Sequence, residues 1–228
     1  MTGSRKRQRG NSPLSNNKSY YPIYLDLRDR RCLIIGGGRV AERKCISLMK
    51  TGADVTIISP DITKRLEDLK RRGIIRHIPR PYRKGDLRGA FLVIAATDSE
   101  DVNKRVFSEA IERNLLLNVV DNPGFCNFIV PSVFEQGVLK IAISTGGASP
   151  GIAKRIRKEL GSIYNRDFSR YLDLVKEVRF RIREEVKDRK KREEIMNKLS
   201  SEELFIILRK KGFRTVREEI MSLLSNLS

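Results

Sequence analysis

The chain has 228 residues, of which 39% are hydrophobic and 33% charged, and its formal net charge is +19. This composition is typical of a globular protein; no run of about 18 apolar residues occurs and the first twenty residues lack an apolar core, so we expect neither a membrane span nor a secretory signal. The positive charge favours an anionic partner, whether nucleic acid, acidic membrane or a polycarboxylate, without choosing among them.

The cysteine and histidine content argues against a zinc site and against disulfide bonds. The three cysteines (Cys32, Cys45 and Cys126) form no CxxC pair, and His77 is the only histidine, so no spacing typical of a zinc site occurs. Cys32 and Cys45 fall in apolar runs, which indicates buried free thiols in a reducing compartment. We therefore expect a cytoplasmic protein without a resident metal ion.

The amino-terminal region changes character near Tyr20. Residues 1–19 are polar and basic and contain too little apolar surface to fold, which predicts a disordered tail, with a nucleic-acid arm as the alternative. Beyond it, Ile23, Leu25 and Leu27 alternate with polar residues, which predicts a short edge strand.

Strands then alternate with helices. Apolar runs predict buried strands at 32–35, 55–58, 74–78, 91–96 and 116–120. Helical spacing predicts one helix from Val40 to Met49, one that Ser59 and Pro60 cap and open, and one from Glu100 to Asn114. This alternation predicts an α/β fold, a Rossmann-type doubly wound parallel sheet over residues 20–118 with right-handed crossovers.

After Asp121 the alternation stops. Residues 128–130 and 138–144 predict two strands without a full helix between them, and Ser149 with Pro150 opens a helix. We therefore predict a small strand–helix segment over residues 119–160, followed by a helical carboxy-terminal region over residues 161–228.

The carboxy-terminal region contains two patterns that open helices. Ser200 with Glu203, and Thr215 with Glu218, have the spacing of capping boxes. Gly212 lies between them, which predicts two final helices separated at this glycine.

A glycine-rich turn follows the first buried strand. Residues 36–41, Gly-Gly-Gly-Arg-Val-Ala, fit the G-x-G-x-x-G/A fingerprint, in which glycines allow a tight turn and let backbone N–H groups approach a diphosphate at a helix amino terminus. The motif predicts dinucleotide binding at Gly36, Gly38, Arg39 and Val40.

The end of the second strand determines which dinucleotide is preferred. Ser59 ends this strand and Asp61 follows two residues later, and we predict cofactor contacts from both. Asp61 is placed to reach ribose hydroxyls, as in NAD-binding proteins, whereas Ser59 with Arg39 tolerates a 2′-phosphate. The pattern favours NAD but leaves NADP open.

Polar residues also follow the fourth and fifth strands. Thr97 and Asp98 are predicted to contact the cofactor, with helix capping as the alternative for Asp98. Asn118 is a predicted substrate-binding residue. Asp121 is the predicted catalytic residue, because a carboxylate there can accept a proton during hydride transfer or hold a metal cation during insertion; a turn-forming Asp-Asn-Pro is the alternative.

A second glycine-rich turn leads from a strand into a helix. Residues 144–151, Ser-Thr-Gly-Gly-Ala-Ser-Pro-Gly, combine hydroxyls, bare backbone amides and a helix amino terminus, which together favour an anion. We predict substrate binding at Thr145, Gly146, Gly147 and Ser149, with an ordinary capped helix as the alternative.

These segments together resemble one known family. The runs 24–30, 34–44, 95–98, 118–121 and 144–150, in this order and at this spacing, strongly resemble the precorrin-2 dehydrogenases, which include the amino-terminal part of siroheme synthases and the bifunctional dehydrogenase/ferrochelatases. The resemblance covers roughly residues 20–160.

The resemblance implies NAD-dependent oxidation of precorrin-2 to sirohydrochlorin and, in some members, Fe²⁺ insertion. It implies cofactor contacts at Gly36, Gly38, Arg39, Val40, Ser59, Pro60 and Asp61. It also implies a role for Asp121 in both reactions, a place for Thr145 near the tetrapyrrole, and a homodimer formed through the region from Phe128 to the helix that Ser149 opens. Two other classes compete: a non-catalytic NAD-sensing Rossmann module, and a nucleic-acid-binding protein. We expect no nucleic-acid partner, since basic and acidic residues are interspersed and no nucleic-acid-binding motif occurs.

Overall fold

The computed structural model describes residues 19–225. They form two compact units, of which the first ends at Val130 and the second begins at Pro131. Apart from Ser19, the tail predicted over residues 1–19 lies outside the described residues. The predicted segments ended at 118 and 160, whereas this division keeps the residues up to 130 with the Rossmann unit and groups residues 131–160 with the carboxy-terminal helices. No described helix is long and apolar enough to cross a membrane.

The first unit alternates strands with helices around one parallel sheet. Its elements in chain order are β1 (Arg31–Ile35), α1 (Arg39–Met49), β2 (Asp54–Ile58), α2 (Lys64–Arg71), β3 (Arg76–Ile78), β4 (Leu92–Ala95), α3 (Glu100–Glu112) and β5 (Leu116–Val119). The strand order is β3-β2-β1-β4-β5, and all neighbours are parallel. The predicted Rossmann-type sheet is confirmed, and its order reverses between β1 and β4, where such sheets bind ligands.

The apolar runs become strands because both faces of the sheet are covered. Cys32 and Ile34 pack into one hydrophobic cluster, and Leu33 and Ile35 pack into the other. Continuous apolar runs, rather than alternating ones, are what a parallel sheet between two helical layers requires. Cys32 and Cys45 are fully buried free thiols, as predicted, and burial raises the pKa of each to about 11.

The edge strand predicted over Ile23 to Leu27 is wrong. Residues 19–30 contain no strand, and the sheet edges are β3 and β5. Leu27 is buried, but Ile23 remains 61% exposed. The alternation of apolar and polar residues from Ile23 to Leu27 fits an extended segment without sheet pairing equally well. In addition, β1 already pairs with β2 and β4 on its two sides, so it has no open edge for this segment.

The second unit consists of a hairpin and four helices. The elements are β6 (Ser132–Gln136), β7 (Leu139–Ile143), α4 (Pro150–Ile163), α5 (Arg166–Glu185), α6 (Arg189–Leu199) and α7 (Glu202–Ser225). The strands β6 and β7 are antiparallel. The strand predicted over 128–130 is wrong, because the carbonyl of Phe128 accepts a hydrogen bond from the Asn118 side chain and strand pairing begins only at Ser132.

Helices α5, α6 and α7 share one apolar core in which Tyr171 is 1% exposed. Gly212 interrupts α7 with φ 81° and ψ 179°, so the predicted break is confirmed. Both predicted capping boxes are wrong. Ser201, not Ser200, accepts the hydrogen bond from the first turn of α7, and the amide of Phe213 beyond the break donates to the Asp167 carboxylate at 3.3 Å.

Candidate functional site

The glycine-rich turn between β1 and α1 fits closely against two neighbouring loops. Gly36 has a φ of 113°, and a β-carbon there would lie 2.2 Å from the carbonyl oxygen of Ala96. A β-carbon on Gly37 would lie 1.9 Å from the carbonyl oxygen of Asp61. Both distances are shorter than any real contact, so these two positions require glycine. The turn therefore lies directly against the loops that follow β4 and β2.

Gly38 differs, because it faces open space. A β-carbon there would meet no atom within 4 Å. Gly38 is also the N-cap of α1, and no side chain hydrogen-bonds to the first turn of this helix, whereas Ser99 and Ser149 cap α3 and α4. The first-turn N–H groups of α1, beginning with Arg39 and Val40, thus face an opening at a helix amino terminus, which suits a diphosphate.

The loop after β2 places its residues differently. Ser59 is 8% exposed, and its carbonyl oxygen accepts a hydrogen bond from Nε2 of His77 at 2.8 Å. Asp61 is exposed and has no hydrogen-bond or ion-pair partner within the described part of the chain. Asp61 is consequently the free polar group of this loop that can meet ribose hydroxyls, while Ser59 and His77 shape the backbone beneath it.

The prediction that Ser59 and Pro60 open α2 is wrong. The helix begins at Lys64, and its N-cap is Thr63, whose hydroxyl oxygen accepts from the amide of Leu66 at 3.3 Å. The same hydroxyl donates to Glu42 on α1 at 2.5 Å. This bond links the start of α2 to the first turn of α1. Residues 59–62 therefore form a loop, not a helix, and this loop lies against the glycine turn.

The loop after β4 contributes Thr97 and Asp98. The carbonyl of Thr97 accepts from the side chain of Asn103 at 3.1 Å, and its hydroxyl accepts from the amide of Ser99 at 3.3 Å. Asp98 is exposed and does not cap α3, since Ser99 does. Because β4 adjoins β1, both residues lie at the sheet edge that carries the glycine turn, and their cofactor contacts stay a prediction.

Asp121 occupies the turn after β5, at the same edge. Its φ is 58°, a left-handed conformation that non-glycine residues adopt rarely and that Asp tolerates better than most. The side chain is exposed and has no hydrogen bond or ion pair with any described residue. The structure thus presents a carboxylate at the end of the strand next to β4, free to meet a ligand.

Side chains of the following loop hold the Asp121 turn in place. The thiol of Cys126 accepts from the amide of Val119 and donates to a backbone carbonyl, either that of Val119 or that of Asn122, each 3.2 Å away. The side chain of Asn127 accepts a hydrogen bond from the amide of Leu117 in β5 at 2.8 Å and donates one to the carbonyl of Leu115, just before β5, at 2.7 Å. The Asp121 turn is therefore built by side chains that follow it in sequence.

Asn118, a predicted substrate-binding residue, belongs to this same arrangement. Its side-chain NH₂ group donates to the carbonyl of Phe128 at 3.2 Å and lies 3.5 Å from the thiol of Cys126. Asn118 is half-buried. The structure gives it a role in fixing the loop, and contact with a substrate stays a prediction.

The second glycine-rich turn lies in the second unit, between β7 and α4. The hydroxyl of Thr145 bonds both the amide and the carbonyl of Ser149 at 3.1 Å, and the hydroxyl of Ser149 caps α4 by accepting from the amide of Ile152. Gly146 and Gly147 have φ values of 63° and 90°, with no atom within 4 Å of an added β-carbon. The turn is thus an internally bonded helix cap with an open glycine face, and substrate binding by these four residues stays a prediction.

Sequence patterns did not reveal Lys44. It is half-buried on α1, and Asp121 is among the charged groups that act on it. Burial is the main influence and lowers the pKa of Lys44 below its ordinary value; Arg43 lowers it further, while Cys126 and Asp121 act in the opposite direction. A lysine inside an amphipathic helix gives no signal of this, because the loop that carries Asp121 is more than seventy residues away in sequence.

No group of three or more His, Cys, Asp and Glu side chains is arranged to hold a metal ion among residues 19–225. What the described site fits is a dinucleotide: an open diphosphate position at Gly38, a carboxylate at Asp61, and a second carboxylate at Asp121 on the same sheet edge.

Comparisons with known proteins agree with this geometry. Residues 23–132 match the family described as "Putative NAD(P)-binding", and residues 136–163 match the family described as "Sirohaem biosynthesis protein central". The siroheme synthase of Thioalkalivibrio sulfidiphilus is 37% identical over 205 residues, which cover 89% of this chain and 42% of that protein. The siroheme synthase of Methylobacillus flagellatus is 42% identical over 158 residues, 69% of this chain and 34% of that protein.

A solved structure matches over a larger share of its own length. SirC, precorrin-2 dehydrogenase, superimposes with a TM-score of 0.76 at 27% identity, covering 89% of this chain and 100% of that chain. This chain spans less than half the length of the siroheme synthases it resembles.

Proposed function

The chain belongs to the family of precorrin-2 dehydrogenases and siroheme synthase amino-terminal regions, and we propose that it oxidises precorrin-2 to sirohydrochlorin with NAD as the hydride acceptor. One observation carries the proposal more than any other. The uncapped amino terminus of α1 and the exposed carboxylate of Asp121 lie on one edge of one sheet, so that a dinucleotide bound at the first has an acid–base group near its far end.

The residues of the first unit divide the binding of NAD among them. Gly38 with the first-turn amides of α1 holds the diphosphate, and Asp61 accepts hydrogen bonds from ribose hydroxyls. Thr97 and Asp98 border the cofactor at the end of β4. When bound, NAD supplies the hydride acceptor that the oxidation needs.

Asp121 acts as the proton acceptor. Oxidation of precorrin-2 removes two electrons and two hydrogens, one as a hydride and the other as a proton. The carboxylate of Asp121 accepts that proton as the hydride departs, which avoids building positive charge on the macrocycle. Its left-handed backbone, held by Cys126, fixes where this carboxylate is presented.

The tetrapyrrole is a polycarboxylate, and the chain carries a net charge of +19. We assign Thr145, Gly146, Gly147 and Ser149 to its binding, together with Asn118. Lys154 and Arg157 follow the glycine turn on α4 and are exposed, so they strengthen the attraction of this turn for carboxylates.

The proposal extends to a homodimer in the cytoplasm. Ile152 and Ile156 on α4 are one helical turn apart and 56% and 36% exposed, and Val133 on β6 is 37% exposed. An apolar row on an exposed helix is typical of a surface that a second copy covers. The cytoplasm keeps the three buried thiols reduced.

The test of the proposed chemistry compares Asp121→Asn with the wild type. The variant is expected to bind NAD with unchanged affinity, measured by fluorescence titration, and to lose at least about a hundredfold in kcat for precorrin-2 oxidation under anaerobic conditions. Asp101→Asn, which removes an exposed carboxylate on α3, is the matched control and is expected to retain wild-type turnover. Near-normal turnover by Asp121→Asn would remove Asp121 from the mechanism.

A second reaction, insertion of Fe²⁺ as a substrate into sirohydrochlorin, is part of the proposal, with Asp121 again the acting residue. Sirohydrochlorin and Fe²⁺ are mixed anaerobically with and without the protein, and the siroheme absorbance is followed. A rate above the uncatalysed control that Asp121→Asn abolishes supports the second activity. A rate equal to the control restricts the protein to dehydrogenation.

A further inference from the structure

Lys44 is a cation in an unusual setting. It lies on α1, half-buried, and its ammonium forms no hydrogen bond or ion pair with any residue between 19 and 225. Lys70 and Lys104 of the same unit, by contrast, have acidic partners: Lys70 pairs with Glu67 at 3.3 Å and Lys104 with Glu100 at 2.8 Å. A partly desolvated ammonium without a partner is costly, and an added anion would relieve that cost.

The direction of α1 brings the side chain towards the edge of the sheet that binds ligands. The helix starts at that edge, and Lys44 lies five residues beyond Arg39, about 7.5 Å down the axis. Helical side chains lean towards the amino terminus of their helix, and the long stem of lysine extends the reach. The ammonium of Lys44 is thereby directed back towards the carboxyl ends of the strands.

The loop that carries Asp121 packs beside this helix. Val120 and Phe128, which flank the loop, pack against the hydrophobic cluster that contains Ala41 and Cys45 of α1. The charged and titratable groups that act on Lys44 are Arg43 on its own helix and Asp121 and Cys126 on the loop. Asp121 is thus the one carboxylate among the groups that act on it, and it forms no ion pair with Lys44 within 4.0 Å.

We infer that Lys44 is a substrate-binding residue whose ammonium binds a carboxylate of the tetrapyrrole beside Asp121. The inference deepens the proposed function and rests on it. A side-chain carboxylate of the macrocycle placed on Lys44 compensates the partly desolvated charge and brings the ring atoms that lose hydrogen next to the proton acceptor. The dinucleotide turn, the substrate anchor and the proton acceptor then belong to two adjacent segments of the first unit.

The test neutralises Lys44 and measures binding separately from catalysis. Lys44→Met is expected to raise the KM for precorrin-2 about tenfold or more, the effect of one charge-assisted hydrogen bond, with the KM for NAD unchanged. Lys44→Arg is expected to stay within about threefold of the wild type because it keeps the charge. Lys50→Met, an exposed lysine at the end of the same helix, is the matched control and is expected to behave as the wild type.

A redox-independent measurement uses uroporphyrin III, a polycarboxylate porphyrin, titrated by its fluorescence. Lys44→Met is expected to weaken its binding about tenfold, and Lys50→Met to leave it unchanged. Equal binding by Lys44→Met and the wild type, or equal losses in both methionine variants, would overturn the inference. A wild-type protein that binds uroporphyrin through Lys44 but does not oxidise precorrin-2 would instead contradict the proposed function and leave the polycarboxylate site standing.

Discussion

Alanine substitutions at Gly37 and Gly38 separate the folding role of the glycine turn from its binding role. The two residues are adjacent, and the same methyl group is added in each variant. At Gly37 the new β-carbon would lie 1.9 Å from the carbonyl oxygen of Asp61 and 2.9 Å from a methyl group of Ile62, whereas at Gly38 it would meet no atom within 4 Å. Gly37→Ala therefore creates a clash within the protein, whereas Gly38→Ala places a methyl group in the open space where a ligand would bind.

The magnitudes follow from these distances. A real β-carbon contact is at least about 3 Å, so in Gly37→Ala the loop after β2 must retreat by more than about 1 Å, and forced overpacking costs about 1–3 kcal/mol. For a chain of this size that corresponds to a melting temperature lower by roughly 2–12 °C. Gly38 has φ −78° and ψ −171°, which alanine adopts freely, so Gly38→Ala loses only the small N-cap advantage of glycine, at most about 1 kcal/mol.

Thermal unfolding by circular dichroism and NAD titration by fluorescence give the two readouts. We expect Gly38→Ala to melt within about 4 °C of the wild type while its Kd for NAD rises at least about tenfold, because the methyl group occupies the position of the diphosphate. Gly37→Ala is expected to melt lower. Wild-type NAD affinity in Gly38→Ala would refute the diphosphate position, and an unchanged melting temperature in Gly37→Ala would refute the close approach of the Asp61 loop.

Two further sites give predictions outside the glycine turn. Glu109 is 1% exposed and accepts hydrogen bonds from Tyr82 at 2.5 Å, from the amide of Gly85 at 2.8 Å and from Arg113 at 2.8 Å. Glu109→Gln is therefore expected to lower the free energy of unfolding by about 2–4 kcal/mol, measured by urea titration at pH 7. A loss below about 0.5 kcal/mol would show that these bonds do not stabilise the fold. Burial alone would raise the pKa of Glu109, but these bonds hold it below its ordinary value. The stabilisation is therefore present above the unfolded-state pKa of about 4.3 and is lost as the pH falls through the lower folded-state pKa. The difference in unfolding free energy between wild type and Glu109→Gln should shrink on acidification, and a difference that grows would contradict this sign. Cys126→Ala removes the thiol that ties the Asp121 turn to β5 and is expected to lower kcat about tenfold with NAD affinity unchanged; an unaltered kcat would mean that the turn is held without the thiol.

Local chemistry made the glycine turn predictable from sequence. An apolar run followed by three glycines and an amphipathic helix specifies a strand, a tight turn and a helix amino terminus within twenty residues, and the structure places Gly36 to Val40 accordingly. The parallel sheet was predictable for the same reason, because the hydrophobic pattern that favours each strand or helix lies within that element's own segment.

Errors arose where contacts distant in sequence decide the outcome. Ser59 and Pro60 have the chemistry of a helix start, yet Thr63 caps α2 because its hydroxyl also meets Glu42 on α1. Residues 128–130 have the pattern of a strand, yet Phe128 is bound by Asn118. Propensity alone did not select between these arrangements.

The Asp121 region shows the same limit at the site itself. The prediction of Asp121 as a site residue rests on its place after a strand, which is local information. The bonds from Cys126 and Asn127 that set its backbone, and the proximity of Lys44, depend on how a helix and a loop pack against the sheet. Such partners can be found only once the packing is known.

A stoichiometric turnover measurement tests the proposed oxidation of precorrin-2 most directly. The purified wild-type protein is mixed anaerobically with enzymatically generated precorrin-2 and NAD, and NADH and sirohydrochlorin are quantified by their absorbance. We predict that both products appear together, one NADH for each sirohydrochlorin, and only when NAD is present. Saturable NAD binding without formation of either product would contradict it and would favour a non-catalytic NAD-sensing module.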